Sequence, residues 1–444
     1  MLYFVLSHEI SIKMARKIQD SNWLYSIFQV YINVFHTRRA YRRFEVHGAK
    51  NLPKNGAIIF GVNHSNTLMD AMVLLASSHR KKVFIARGDI FKKPLVAKIL
   101  TFMRILPIYR MRNGVAAVRN NDESLDKAVD VIHDRVELYI FPEGTHRTKH
   151  SLLRLGKGIF HIALDSNQQF GKEEPVYIVP VAIEYGDYFR FRSTAMINYG
   201  EAINVTDYVK NATEENEAVM MNQLREMLYE RISKLFTFIP DDEDYDATWE
   251  IVKMKNIKRA GGLLKKMQRN RNTVDKVLQY KEEHPEEAKQ LFEKVNQFAE
   301  ERVKNKISVT STAKKYPFIN FLWKFLVAII GLPYFLASAV ATLPVWVITA
   351  IIKSKLKDPA FGNTVSFGVK FVLMPLIVIA GAAVMFSLMP WYWAALSTIL
   401  LMFSYDIFID YKELARRFIS DIRWSFKTKL RKQYDDLNLN DLFQ

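Results

Sequence analysis

Residues 57–72 read AIIFGVNHSNTLMDAM. The run Ala57–Val62 has the length and composition of a buried strand. Ser65, Asn66 and Thr67, all residue types that favour helix starts, then lead into a helical pattern over 68–77. A strand feeding a helix through a short polar loop is the repeating unit of an α/β sheet. The alternation extends in both directions. FEVHG at 44–48, KVFIA at 82–86, the short ILPIY, VELYIF at 136–141, VYIVPVAIEY at 176–185 and AMINYG at 195–200 read as strands. Helix-like segments fall between them at 94–103, 120–133 and 157–167. The pattern predicts an α/β domain over 44–205 with a central, largely parallel sheet. Pro180 interrupts the strand at 176–185, which implies an edge or bulge lining a cleft.

The flanks differ in kind. Residues 1–43 read as N-terminal amphipathic or interfacial helices. Leu24, Ile27, Phe28, Tyr31, Val34 and Phe35 recur at helical spacing, followed by Arg38, Arg39, Arg42 and Arg43. That face suits a helix lying in an anionic membrane interface, and equally a helix packed in a core. The opening MLYFVLSHEI is too short for a signal core. Residues 206–315 form a charged helical region whose charge runs read as solvated faces. Residues 316–444 hold two apolar stretches, roughly 325–352 and 371–403, each long enough to span a bilayer, and a basic helical tail. Gly331, Pro333, Pro344, Pro375, Gly381 and Pro390 interrupt them. A simple hairpin would put Lys353, Lys355, Lys357 and Lys370 outside, against the positive-inside tendency. Re-entrant helices would keep every basic loop on one side, and the spacing of the breakers favours them.

Composition bounds the chemistry. The 444 residues carry 63 Lys and Arg against 46 Asp and Glu, a net charge of +17. Such a balance suits nucleic acid, anionic lipid or phosphate-bearing substrates. With no cysteine, disulfides, thiolate zinc sites and cysteine nucleophiles are excluded. Basic residues spread over several regions and the apolar C-terminal stretches favour lipid over nucleic acid.

His64 and Asp70 are the first pair with chemical content. A neutral imidazole, with an ordinary pKa near ~6.5, accepts a hydroxyl proton when its other nitrogen donates to an acceptor. On one continuous helix the two would lie about 600° apart, on roughly opposite faces. They can meet if His64 sits on the loop and the helix starts at Ser65, Asn66 or Thr67. Such spacing alone also fits a satisfied structural histidine. The second constellation is LYIFPEGTHRTKHSLLRLGKG, where Pro142, Glu143, Gly144 and Thr145 form a turn ahead of Arg147, Lys149, Arg154 and Lys157. The third is ARGDIFKKPLVAKILTFMRILPIYR, residues 86–110, with Arg87, Lys92, Lys93, Arg104 and Arg110 around an apolar helix. The fourth is IVPVAIE at 178–184.

In this order the four segments resemble the motif blocks of the glycerolipid acyltransferase superfamily, whose members acylate glycerol 3-phosphate or lysophosphatidic acid. NHSNTLMD, the span from Arg87 to Arg110, FPEGTHR and VPVAIE stand where that family has its blocks. The resemblance covers roughly 45–205, and FPEG is its most specific match. It implies an α/β acyltransferase domain in which His64 deprotonates the acceptor hydroxyl and Asp70 orients it. Arg87, Arg110, Glu143, Gly144, Thr145 and Arg147 would bind the phosphate-bearing acceptor, with Pro142 and Pro180 shaping the cleft. It further implies acyl-CoA or acyl carrier protein as acyl donor, no metal or other cofactor, and no covalent acyl-enzyme. Expected partners are the lipid bilayer and glycerol 3-phosphate or lysophosphatidic acid, not nucleic acid. The expected setting is a membrane, a bacterial inner one favoured, with the site on its cytoplasmic face. Two departures stand out. Five residues separate His64 from Asp70, a longer step similar to the branch containing fungal glycerol-3-phosphate acyltransferases, which favours glycerol 3-phosphate as acceptor. His146 also stands where the family usually has the arginine, with Arg147 following. A non-catalytic membrane-surface scaffold of the same fold would be expected to have lost the base or its partner, and both are present.

Overall fold

Eight strands form one sheet: β1 (Tyr41–His47), β2 (Ala57–Val62), β3 (Lys82–Arg87), β4 (Ile105–Ile108), β5 (Glu137–Ile140), β6 (Val176–Tyr185), β7 (Ser193–Tyr199) and β8 (Ile203–Asn204). The computed structural model describes residues 17–109, 120–212, 216–257, 261–312 and 317–443. The strand order is β1-β7-β6-β2-β5-β3-β4, with β8 also on β6. Among the described residues, only β6–β7 and β6–β8 pair antiparallel. The carboxyl ends of β2 to β6 therefore share one edge, where open α/β sheets place their ligands.

Successive strand residues divide between two cores, as the two-residue period requires. Ile59, Val83, Leu138 and Ile178 face α4 (Asn120–His133), α5 (Gly158–Phe170) and α7 (Glu217–Ser233). Helices α1 (Trp23–Tyr31), α2 (Leu68–Leu75), α3 (Pro94–Phe102) and α6 (Val205–Asn211) complete this part of the chain. Phe60, Val62, Tyr139, Val181 and Ile183 face α2 and residues of the C-terminal apolar helices. At Gly61, side chains of α5 and α7 pack tightly on β2: an added Cβ would lie 2.9 Å from Leu228 and 3.1 Å from Ile159. Because Leu224, Leu228, Ile232 and Phe236 belong to the sheet's own core, the packed unit runs on past 205, the boundary read from the sequence.

Pro180 corrects a second expectation, because β6 is central and unbulged. Val179, Val181 and Ile183 stay on one face with Ile178 and Ala182 on the other, and Gly61 pairs with Pro180 in register. The Pro180 carbonyl accepts from the Gly200 amide at 2.9 Å. A residue's N–H and C=O point to the same side of a strand, so the missing donor faces the junction where β6 changes neighbour from β8 to β7.

Beyond the sheet, α8 (Tyr245–Lys255), α9 (Leu263–Glu283) and α10 (Pro285–Lys304) pack around a separate core. That core is closed by Trp424, Leu430, Leu437 and Phe443 from the far end of the chain. After α11 (Val309–Thr312), the apolar stretches become α12 (Pro317–Ala341), α13 (Leu343–Ser354), α14 (Gly362–Leu388) and α15 (Trp391–Phe426), followed by α16 (Thr428–Asp436) and α17 (Leu439–Leu442). Among the described residues, three helices are long and apolar enough to cross a membrane: Phe321–Ala341, Pro359–Leu388 and Trp391–Phe426. Pro333 and Pro375 lie inside helices, whereas Pro344 and Pro390 stand at helix starts, where a missing N–H costs nothing.

The helices form two hairpins that both open toward the sheet. At the root of α12–α13, Lys324 pairs with Asp421. At the next root His146 meets Asp358 at 2.9 Å, and Lys370 pairs with Asp406 at 2.5 Å. The Lys353–Lys370 stretch thus lies on the sheet side. Of the two readings left open for the basic cluster after α1, packing holds for Arg39 and Arg42, which bind Asp406 at 2.7 Å and Asp410 at 2.8 Å on α15. Leu24 and Ile27 on α1 and Val34 just after it remain exposed, while Phe28 packs edge-on against Phe102 and Phe371.

Candidate active site

The β2 strand ends at Val62, and Asn63 extends its grip on β6. The Asn63 amide donates to Ile183 O at 3.1 Å and accepts from Ile183 N at 2.7 Å. His64 follows on the loop, and α2 begins after Thr67, so Asp70 falls in the first helical turn. This brings the pair together: His64 Nδ1 lies 2.8 Å from Asp70 Oδ2. The fully buried Asp70 also accepts from the Ser65 and Asn66 amides at 2.9 and 2.8 Å, and from the Tyr185 hydroxyl at 2.7 Å. An ionised carboxylate only accepts, so the network assigns the proton to Nδ1 and leaves the lone pair on Nε2. Nε2 has no hydrogen-bond partner among the described residues. The arrangement is a neutral base with its tautomer fixed from behind.

The loop is strained where it turns. Thr67 has φ +49°, a region a β-branched residue rarely enters. Its hydroxyl is held by that of Thr364, 2.7 Å away at the start of α14. Below the imidazole, Phe141 stacks at 4.4 Å between centroids, and His146 lies edge-on at 5.8 Å. His146 is tied to the second apolar hairpin through Asp358 and through Phe361 at 5.2 Å.

Glu143 corrects the reading that gave it a phosphate. One oxygen accepts from the His64 amide at 2.7 Å and the other from the Leu153 amide at 2.9 Å. It therefore fastens two loops to each other under the base. Burial pushes its carboxyl up to about 7, against the pull of those two donors and of the Arg147 charge. Gly144 adopts φ +64°, the left-handed turn that glycine supplies without strain.

The expected phosphate ligands are spread. Thr145 is exposed beside His146. The Arg147 amide donates to His64 O at 3.0 Å, but its guanidinium is engaged by Asp241 and by Ser151 Oγ at 2.8 Å. Arg87, exposed at the end of β3, is paired with Asp89 at 3.0 Å. Arg110 lies outside the described residues. Pro142 is buried, and its carbonyl accepts from Gly156 at 2.7 Å, which brings the uncapped start of α5 to the same sheet edge. No group of three or more potential metal-ligating side chains occurs among the described residues. Sequence reasoning missed Tyr185, Asp241, Asp358 and Thr364. Tyr185 alone left a signal, since it continues the alternation of β6 on the face of Val181 and Ile183.

A protein-family model described as Acyltransferase matches residues 43–184. The chain is 24% identical over 158 residues to a chloroplastic 1-acyl-sn-glycerol-3-phosphate acyltransferase of Brassica napus, covering 35% of this chain and 42% of that protein. It is 30% identical over 124 residues to the 1-acyl-sn-glycerol-3-phosphate acyltransferase of Limnanthes alba, covering 28% of this chain and 41% of that one. The crystal structure of the 1-acyl-sn-glycerophosphate (LPA) acyltransferase PlsC from Thermotoga maritima is similar at 21% identity. Its TM-score is 0.35, over 52% of this chain and 86% of that chain. The chain thus spans less than half the length of the curated relatives it matches.

Proposed function

We propose that this chain is a membrane-associated O-acyltransferase that moves a fatty acyl group from a thioester to the hydroxyl of a phosphate-bearing glycerol. The observation that carries the reading is the 2.8 Å contact of His64 Nδ1 with a buried, four-fold bonded Asp70, which leaves Nε2 open. Nε2 takes the acceptor's hydroxyl proton as its oxygen attacks the thioester carbonyl. Collapse of the tetrahedral intermediate breaks the carbon–sulfur bond, and the imidazolium returns the proton to the departing thiolate. Asp70 stabilises that imidazolium through Nδ1–H. The acyl group never rests on the protein, so the kinetics are sequential.

Glu143 acts as a positioning residue, and Thr145, the Gly144 turn and Arg110 receive the acceptor's phosphate, joined by Arg87 and Arg147 when they exchange Asp89 and Asp241 for it. Lysophosphatidic acid is the acceptor we favour. Its support is the named activity of the relatives and the position of His64 at the root of the apolar hairpins. Glycerol 3-phosphate, the acceptor of the fungal branch, rests on the longer step from His64 to Asp70. The test offers labelled acyl-CoA and acyl carrier protein thioesters to the purified full chain with each acceptor in turn. Product with lysophosphatidic acid alone is the expected result. Product with glycerol 3-phosphate alone would reverse the choice of acceptor, and none with either would remove the reading.

A further inference from the structure

A cleft of about 820 Å³ shares no residue with the His64 site. It lies between the β6–β7 loop, the helices α8 to α11 and the last turns of α15. Twelve Lys and Arg side chains line it against a single carboxylate, Asp187. Glu45, Glu250, Asp410 and Glu413 behind the wall pair with eight of these cations. Arg269, Lys306 and Arg423 have no ion-pair partner among the described residues. Uncompensated positive charge around a concave space focuses potential toward an anion.

Two further observations say what kind. Ser193 Oγ lines the cleft on a side chain that is 2% exposed and lacks a hydrogen-bond partner, and as a hydroxyl it can donate to an anion. A buried hydroxyl without a partner is costly unless a ligand supplies one. The α15 wall also fixes the depth. Phe418, within the Arg416–Arg423 turns that line the cleft, stacks at 4.7 Å on Phe321, the first residue of an apolar span. Ile419, on the cleft side, is 45% exposed. The cleft thus stands at the level where apolar helix begins, which is headgroup depth.

We propose that this cleft binds the phosphate of an anionic phospholipid headgroup from the leaflet that the apolar helices enter. The full chain in detergent micelles is titrated with short-chain phosphatidylglycerol, which is neither acceptor nor product of the proposed reaction. Short-chain phosphatidylcholine, inorganic pyrophosphate and coenzyme A are run as separate arms, with the rise in Tm as readout. Saturable stabilisation by phosphatidylglycerol and none by phosphatidylcholine is expected, with affinity weakened at least ~tenfold in an R269E/K306E/R423E variant. The corresponding triple alanine variant serves if charge reversal prevents folding. Equal affinity in variant and parent, or equal response to the zwitterionic lipid, would overturn the proposal. Pyrophosphate or coenzyme A binding with the same charge dependence, without phosphatidylglycerol binding, would overturn the lipid source and make the cleft a site for a soluble anion.

Discussion

Replacing Asp70 by Asn separates the two things its carboxylate does for His64, fixing a tautomer and supplying charge. Three donors converge on Oδ2: the His64 ring and the amides of Ser65 and Asn66, all within 2.9 Å. Two of them are backbone N–H groups that cannot become acceptors, so an asparagine must turn its oxygen to that position. Its amide nitrogen then faces the Tyr185 hydroxyl, which can rotate to accept. His64 keeps its proton on Nδ1, and only the charge facing the imidazolium is lost. A hydrogen bond to a charged group contributes about 1.5–3 kcal/mol, and a neutral one about half of that. The loss grows as the ring becomes cationic, so we take about 1.5–3 kcal/mol in the transition state. That is about a ten- to hundredfold fall in kcat. Steady-state acyl transfer with saturating donor measures it, with thermal unfolding as the control for folding. Unchanged turnover, or a fall to the background of the His64→Ala variant with Tm intact, would refute the reasoning.

Two further predictions concern the loops and the hairpins. Glu143 is protonated below its ordinary value of 4.5 in both folded and unfolded chains. Between 4.5 and about 7 the unfolded chain ionises while burial keeps the folded one protonated, so folding loses free energy as pH rises through that window and levels off above it. Glu143→Gln removes this dependence at the cost of one backbone hydrogen bond. The Tm advantage of the parent over the variant should therefore shrink from pH 4.5 to 7, and a constant gap would contradict the assignment. Because the chain has no cysteine, single cysteines report topology directly. In vesicles, a membrane-impermeant maleimide should reach Tyr392→Cys, at the tip of the α14–α15 hairpin, only from the side opposite Lys357→Cys. Labelling of both from one side would show that the hairpin does not cross.

Much of the sheet is legible because its strands are buried on both faces and read as short apolar runs. AIIFGV and VYIVPVAIEY coincide with β2 and β6 to the residue. The His64–Asp70 pair is legible for a related reason: the loop residues that start a helix also set the turn that joins the two side chains. What stays hidden depends on long-range packing. The proline rule fails at Pro180 because β8 ends and β7 begins where its N–H would point. Glu143 looks like a ligand-binding residue of an exposed turn until Leu153 and His64 are seen to occupy both its oxygens. Arg147, which the sequence suggests as a phosphate ligand, is drawn off by Asp241, nearly a hundred residues away. Asp358 and Thr364 join the site from the apolar hairpins, 212 and 297 residues beyond the residues they touch. No local pattern of charge or period marks such partners.

The most direct test of the central claim is turnover by His64→Ala, measured with lysophosphatidic acid and acyl-CoA beside the parent chain. A base held by Asp70 and open at Nε2 contributes at least ~10²–10⁴-fold. Turnover should therefore drop by that much or more, while Tm and membrane association stay as in the parent. Near-parent turnover in a folded variant would show that another group takes the proton and that the His64–Asp70 pair is structural.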